Sequence, residues 1–208
     1  MLKECPTRIF FAPSGKLVAE WQRAGDRLQM AVFERPGELA EKRFEVAPLE
    51  GWSLKDGKQG CQALYDVLPF VAGEVPLPAF SDSLTPAFRK AFQCVLERDG
   101  AIDDFWVIRG EPGVFAVVAQ RRGATWRVCG LTGESRTLTV RFEDLWLRMP
   151  AELRSFSYTV EISRDPNAKE QGAAVEESFT GQAPDIRIFL DLSANGGFLL
   201  TFRGTESK

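Results

Sequence analysis

The sequence predicts a mainly β protein: a C-terminal antiparallel eight-stranded β-sandwich, preceded by a small antiparallel sheet and one or two helices. Three observations carry that expectation. From residue 102 onward apolar and polar residues alternate with a period of two, as in strands with one buried face. Hairpin and turn sequences interrupt the pattern at short, regular intervals. Helical spacing of apolar residues is confined to two short stretches, around 62–71 and 82–99.

Taken in order, residues 7–48 read as a small antiparallel sheet. TRIFFA is a short apolar strand ended by Pro13-Ser14-Gly15. KLVAEWQ alternates, with Leu17, Ala19 and Trp21 on one side, and RLQMAVFE alternates after the Ala24-Gly25-Asp26 turn. KRFEVA follows as a fourth strand. EGWSLKDGKQG is polar and turn-rich and reads as a loop. QALYDVLPFV has helical spacing broken at Pro69, and AGEVPLPAFSDS reads as an extended linker. These features divide the chain into an N-terminal region, 1–80, and a helix plus sandwich, 81–208.

The best helix is 82–99. Thr85 is placed to cap it, Pro86 occupies the tolerated first turn, and Gly100 stops it. Phe88, Phe92 and Val95 or Leu96 form one stripe, read either as a partner-binding face or as a face laid on the neighbouring sheet. Strands are then expected at 104–109, 114–121, 124–131, 136–142, 156–163, 173–180, 185–192 and 197–203. The longer connections, 143–155 and 164–172, are where loops can carry function.

Composition narrows the function classes. The 208 residues carry a net charge of −3, and no Lys/Arg run exceeds Arg121-Arg122, so no nucleic acid partner is expected. No stretch approaches the ~18 apolar residues that cross a bilayer, so no membrane insertion is expected. The absence of histidine removes Ser-His-Asp and Cys-His nucleophiles and His-containing zinc sites. Cys5, Cys61, Cys94 and Cys129 form no CxxC pair; an even count permits two disulfides, but the apolar settings of Cys94 and Cys129 favour free thiols. No cofactor and no metal site are expected. A native start predicts the cytoplasm; a signal peptide removed upstream would place the protein in the periplasm or outside the cell.

The candidate carboxylate pairs are Asp103/Asp104, Glu143/Asp144 and Glu176/Glu177. Glycoside hydrolysis needs two carboxylates about 5–10 Å apart across a sugar. Neighbours on a strand point to opposite faces, so these pairs read as surface or turn residues. Asp165 and Asn167 have the hard oxygens of calcium ligands, but two ligands are too few for a site, and Asp-Pro-Asn also reads as a turn.

Several features of the C-terminal half occur together in a recognisable order. Asp103-Asp104 precede the first strand, and Val107-Ile108 lead to Gly110 and Gly113. VVAQRRGATWRVCGLT follows, with Ala119, Arg121, Gly123, Trp126, Gly130 and Thr132. RTLTVRFEDL, then SRDPNA with Asp165, Asn167 and Ala168, and finally NGGF with Gly196, Gly197 and Phe198 complete the series. Residues 103–202 thereby resemble the C-terminal domain of glycoside hydrolase family 97. That family comprises α-glucosidases and α-galactosidases, mostly bacterial. Where it often has a Trp after the Thr132 turn, this chain has Gly133-Glu134, which removes any ligand contact made by that aromatic.

The family's catalytic module is a (β/α)₈ barrel, which needs roughly 200 residues. Residues 49–102 cannot hold one, so the family's catalytic glutamates and calcium ligands have no counterparts here. The expected function is therefore a non-catalytic protein related to glycosidase accessory domains, in contact with a carbohydrate or a partner protein. Exposed aromatics would be the sugar platforms: Trp146 in the long connection first, then Trp106 and Trp21, whereas Trp126 is expected in the core. Two alternatives are an interaction or regulatory module docking through its N-terminal half, and a small carbohydrate hydrolase with carboxylates between the two halves.

Overall fold

A computed structural model describes residues 8–10, 18–24, 27–33, 42–46, 53–67, 77–96, 102–146, 148–166, 170, 175–182 and 185–205. The N-terminal turns, Cys5, Pro69, Gly100, Asn167 and Ala168 lie outside the described residues.

Four N-terminal strands form one antiparallel sheet in sequence order: β1 (Arg8–Phe10), β2 (Val18–Ala24), β3 (Arg27–Phe33) and β4 (Lys42–Val46). This is the small sheet expected from the alternation. Trp21 stands opposite Met30 in its register, and its side chain is outside the description. Two short strands, β5 (Ser53–Leu54) and β6 (Ala79–Phe80), pair in parallel.

The eight C-terminal strands all form within a few residues of their expected bounds. They are β7 (Asp104–Glu111), β8 (Phe115–Arg122), β9 (Thr125–Thr132), β10 (Arg136–Arg141), β11 (Ser157–Arg164), β12 (Val175–Gln182), β13 (Arg187–Leu192) and β14 (Gly197–Thr205). Their pairing corrects the expected eight-stranded sandwich. Six make one antiparallel sheet in the order β12-β11-β14-β9-β8-β7, and only β10 and β13 pair across from it. The division is unequal because one face of the large sheet is covered by helices rather than by strands.

Two core clusters lie on opposite faces of that sheet. On one face Trp126, Val128, Val160, Phe198, Leu200 and Phe202 meet Leu138, Val140, Ile188 and Leu190 of the β10–β13 pair. On the other face Val107, Val118, Cys129 and Leu131 meet two helices, α1 (Gly57–Val67) and α2 (Pro86–Leu96). Alternate residues of β9 therefore serve different cores, which is the period of two read from the sequence. A bulge at Ile108 in β7 interrupts the alternation and leaves Trp106, Val107 and Ile108 all buried.

α2 starts as expected: Thr85 Oγ1 accepts the Phe88 amide at 3.1 Å. Its Phe88 and Phe92 are fully buried, so the stripe faces the sheet. α1 begins five residues earlier than its apolar spacing suggests. Asp56 Oδ1 accepts the Gln59 amide, and Gln59 Oε1 accepts the Lys55 amide, both at 2.7 Å. Asp56 thus caps the helix while Gln59 reaches back to the residue before the cap, a variant of the Asp-x-x-Gln signature hidden in the sequence by Gly57 and Gly60. Gly60 is where α1 crosses α2, since a Cβ there would lie 2.5 Å from the Phe88 ring. The 143–155 connection also folds locally, into a one-turn α3 (Glu143–Trp146) and a 3-10 turn over Ala151–Ser155. Leu145, Met149 and Leu153 from it enter the core.

The seat of α2 gives a test. At Gly197 a Cβ would fall 2.7 Å from Phe88 Cα and 3.0 Å from the Gly130 carbonyl, both backbone atoms. Gly197→Ala is expected to destabilise the chain by about 1–3 kcal/mol in urea denaturation, as overpacking does. A change near zero would mean α2 is not held this close to β14.

Candidate functional site

Asp165 is the only fully buried carboxylate among the described residues, at 2% exposure. It follows β11, in the loop weighed above for calcium. One carboxylate oxygen, Oδ2, accepts the Thr85 hydroxyl and the Gly197 amide, each at 2.5 Å, and the Ala87 amide also hydrogen-bonds to the carboxylate. The Asp165 amide in turn donates to the Gly197 carbonyl at 3.1 Å. Beside it, Asn195 adopts a left-handed φ of +61°, and its Oδ1 accepts the Gly57 amide at 2.8 Å. Asn195 O accepts the Thr85 amide as well.

The N-termini of both helices thus converge on the turn between β13 and β14. Asp165 occupies the anion position at the α2 N-terminus, where backbone amides and the helix dipole favour negative charge. Burial pushes its pKa up, opposed by the bonds from Thr85, Gly197 and Ala87. The calcium reading finds no support here: this carboxylate is committed to protein donors, Asn167 lies outside the description, and no cluster of three metal-ligating residues occurs among the described residues.

The other carboxylate candidates also hold structure, apart from Glu143, which is exposed at the start of α3. Asp103 accepts the Gly123 amide at 2.6 Å and pairs with Arg121 at 3.1 Å. Asp104 pairs with Arg148 at 3.1 Å, and Asp144 accepts the Arg141 amide at 2.9 Å. Glu176 accepts the Ser163 hydroxyl at 2.7 Å, and Glu177 lies 3.4 Å from Arg164. Arg164 is gripped by both oxygens of Glu170, at 2.6 and 2.7 Å, which raises its pKa and ties down the loop after β11.

The aromatic candidates separate. Trp106, at 7% exposure, packs edge-on to the fully buried Trp126 with ring centroids 5.2 Å apart, and the Arg148 guanidinium covers it at 5.4 Å. Trp106 therefore presents no open face. Trp146 is half-buried and packs on the same core, while Arg154 donates to its carbonyl at 3.2 Å. Tyr158 donates to the Leu153 carbonyl at 2.8 Å and fastens the same connection, its pKa pushed up to about 12 by burial.

Sequence reasoning missed the exposed aromatics. Phe189, 71% exposed, stands on the outer face of β13 opposite Thr139, and Phe179, 40% exposed, stands on β12. The alternation of RIFLDL did place Phe189 outward, but composition alone marks Phe as core. β12 is the terminal strand of the six, paired to β11 along all eight residues and to no other described strand. A further surface feature is a basin of about 310 Å³ bordered by Gln120, Arg122, Thr125, Arg127 and Arg203. It lies where the helices stop covering the sheet, at Gln120, whose amide donates to the Cys94 and Val95 carbonyls. Cys61, Cys94 and Cys129 are buried and form no disulfide.

The arrangement is that of a β-sheet domain whose charged groups hold turns and helix ends together. Its kinship follows from comparison: residues 101–203, just under half the chain, match the family described as "Glycosyl-hydrolase 97 C-terminal, oligomerisation". The match bears out the resemblance that the motifs of residues 103–202 carry. Among solved structures, a glycoside hydrolase family 97 enzyme from Pseudoalteromonas sp. strain K8 with acarbose aligns at a TM-score of 0.53 and 14% identity. The alignment covers 72% of this chain and 29% of that one, and the same holds for its complex with panose. At this identity the likeness speaks for the fold alone, and the chain spans under a third of the enzyme's length. α-Galactosidase I from Mortierella vinacea aligns at 0.38 and 18% identity, over 73% of this chain and 36% of that one. No curated protein matches the chain.

The Asp165 account predicts two outcomes. Asp165→Ala orphans buried donors and is expected to cost about 1–3 kcal/mol, or more, in denaturant unfolding. The pH dependence has a definite sign. A carboxyl whose folded pKa lies above its unfolded one stabilises most below the unfolded value, and that contribution is lost as pH rises through the folded value. Wild type compared with Asp165→Asn should therefore lose relative stability as pH rises from the ordinary Asp range. A relative gain would contradict the burial account.

Proposed function

We propose that the C-terminal unit is a non-catalytic accessory domain that makes protein–protein contacts, self-association foremost. The observation that carries this reading is the match of residues 101–203 to a family described by oligomerisation. The geometry supports it: the carboxylates Asp103, Asp104, Asp144, Asp165, Glu176 and Glu177 are committed to amides, hydroxyls and cations of the fold. None is left in a facing pair of the kind hydrolysis requires. Sedimentation velocity of the full chain across a wide concentration range is expected to show a reversible shift to a larger species. A single monomeric species at every concentration would reject self-association.

A second reading, weak carbohydrate contact, is favoured by the exposed ring of Phe189, which has an open face for a sugar. It also retains Trp146 as a candidate. Acarbose and panose, the ligands of the Pseudoalteromonas enzyme, are suitable probes. Calorimetric titration should give saturable heat that Phe189→Ala abolishes; no heat with either sugar would reject this reading.

A further inference from the structure

We propose that β12 is the self-association edge, and that two chains pair it antiparallel about Phe179 to continue the six-stranded sheet. The inference rests on the self-association reading above and gives it a location.

β12 is an eight-residue strand at the end of the sheet, with VEESFTGQ in register against β11 from Ser157↔Gln182 to Arg164↔Val175. None of its eight residues is buried, in contrast to β11 beside it, where Tyr158, Val160, Ile162 and Ser163 are. A long strand with an unpaired row of amides and carbonyls is a template for another strand. At the opposite edge of the sheet, β7 carries a bulge at Ile108, a device that blunts pairing. β12 has no bulge in its register with β11.

The charge pattern selects the partner and the register. The acidic residues Glu176 and Glu177 lie in the first half, and the second half, Thr180-Gly181-Gln182, is uncharged. In an antiparallel pair centred on Phe179, Glu176 faces Gln182 of the second copy and Glu177 faces Gly181. Ser178 faces Thr180, and the two Phe179 rings meet on the two-fold axis. A parallel pair, or an antiparallel pair centred on Glu176 or Glu177, would set glutamates of the two copies against one another, which destabilises a sheet. A second copy of this chain therefore complements the strand, with its acidic half against the neutral half. Phe179, 40% exposed in the single chain, becomes a cross-strand aromatic contact.

The test uses the full chain with substitutions at Phe179 and, as a control, at the more exposed Phe189 on the outer face of β13. Phe179→Lys should weaken self-association about tenfold or more in sedimentation experiments with unchanged far-UV circular dichroism, whereas Phe189→Lys should leave it unaltered. Phe179→Cys, treated with diamide, should form a covalent dimer linked through position 179, and Phe189→Cys should not link through position 189. The cross-link decides the matter should Phe179→Lys fail to fold. Undiminished association of Phe179→Lys together with no cross-link at 179 would overturn the β12 assignment and leave the self-association reading standing. A wild-type chain that is monomeric throughout would overturn both.

Discussion

The buried carboxylate of Asp165 is the interaction on which the domain depends. It joins three segments distant in sequence: the start of α2 through Thr85 and Ala87, the end of β11, and the start of β14 through Gly197. A buried charge without partners is costly, and each bond to Asp165 offsets part of that cost. The same turn, through Asn195, also holds the first amide of α1. Two helices are thereby fixed by their N-termini to one end of the sheet. Their apolar faces complete the second core, and the close approach of Phe88 to Gly197 follows from that docking.

This arrangement explains why the large sheet has a polar end and an apolar end on its helical face. Helices anchored at the Asp165 turn reach only as far as Gln120, which closes the C-terminal carbonyls of α2. Beyond it the strands carry Arg127, Arg203 and Glu161, as a solvated face requires. The opposite face is completed by β10 and β13, and by the 143–155 connection fastened through Arg148, Arg154 and Tyr158. A connection whose length suggested a functional loop is part of the core instead.

Much of this was legible in the sequence, for reasons that are local. The period of two and the turn glycines located all eight C-terminal strands, and Thr85-Pro86 located the start of α2. The motif residues Asp165, Gly196 and Gly197 carried the resemblance, and Asp165 and Gly197 lie where α2 docks. What was not legible depends on tertiary choice. Alternation identifies two faces but not what covers each, so six strands plus two was read as one sandwich. Trp106 and Trp146 look alike in sequence as exposed-capable aromatics. Only the bulge at Ile108 and the Arg148 overlay decide that Trp106 is enclosed. Phe189 was missed because composition marks Phe as core, although its alternation with Ile188 and Leu190 sets it on the other face of the strand.

The central claim is that the domain's outward role is contact between chains and that β12 provides the edge. Hydrogen–deuterium exchange at low and high protein concentration tests it most directly, because amide protection reports strand pairing residue by residue. The account predicts that amides within 175–182 gain protection as concentration rises, while those of β11 and β14 stay protected throughout. Protection of β12 that is independent of concentration, with a gain appearing in another segment instead, would contradict it.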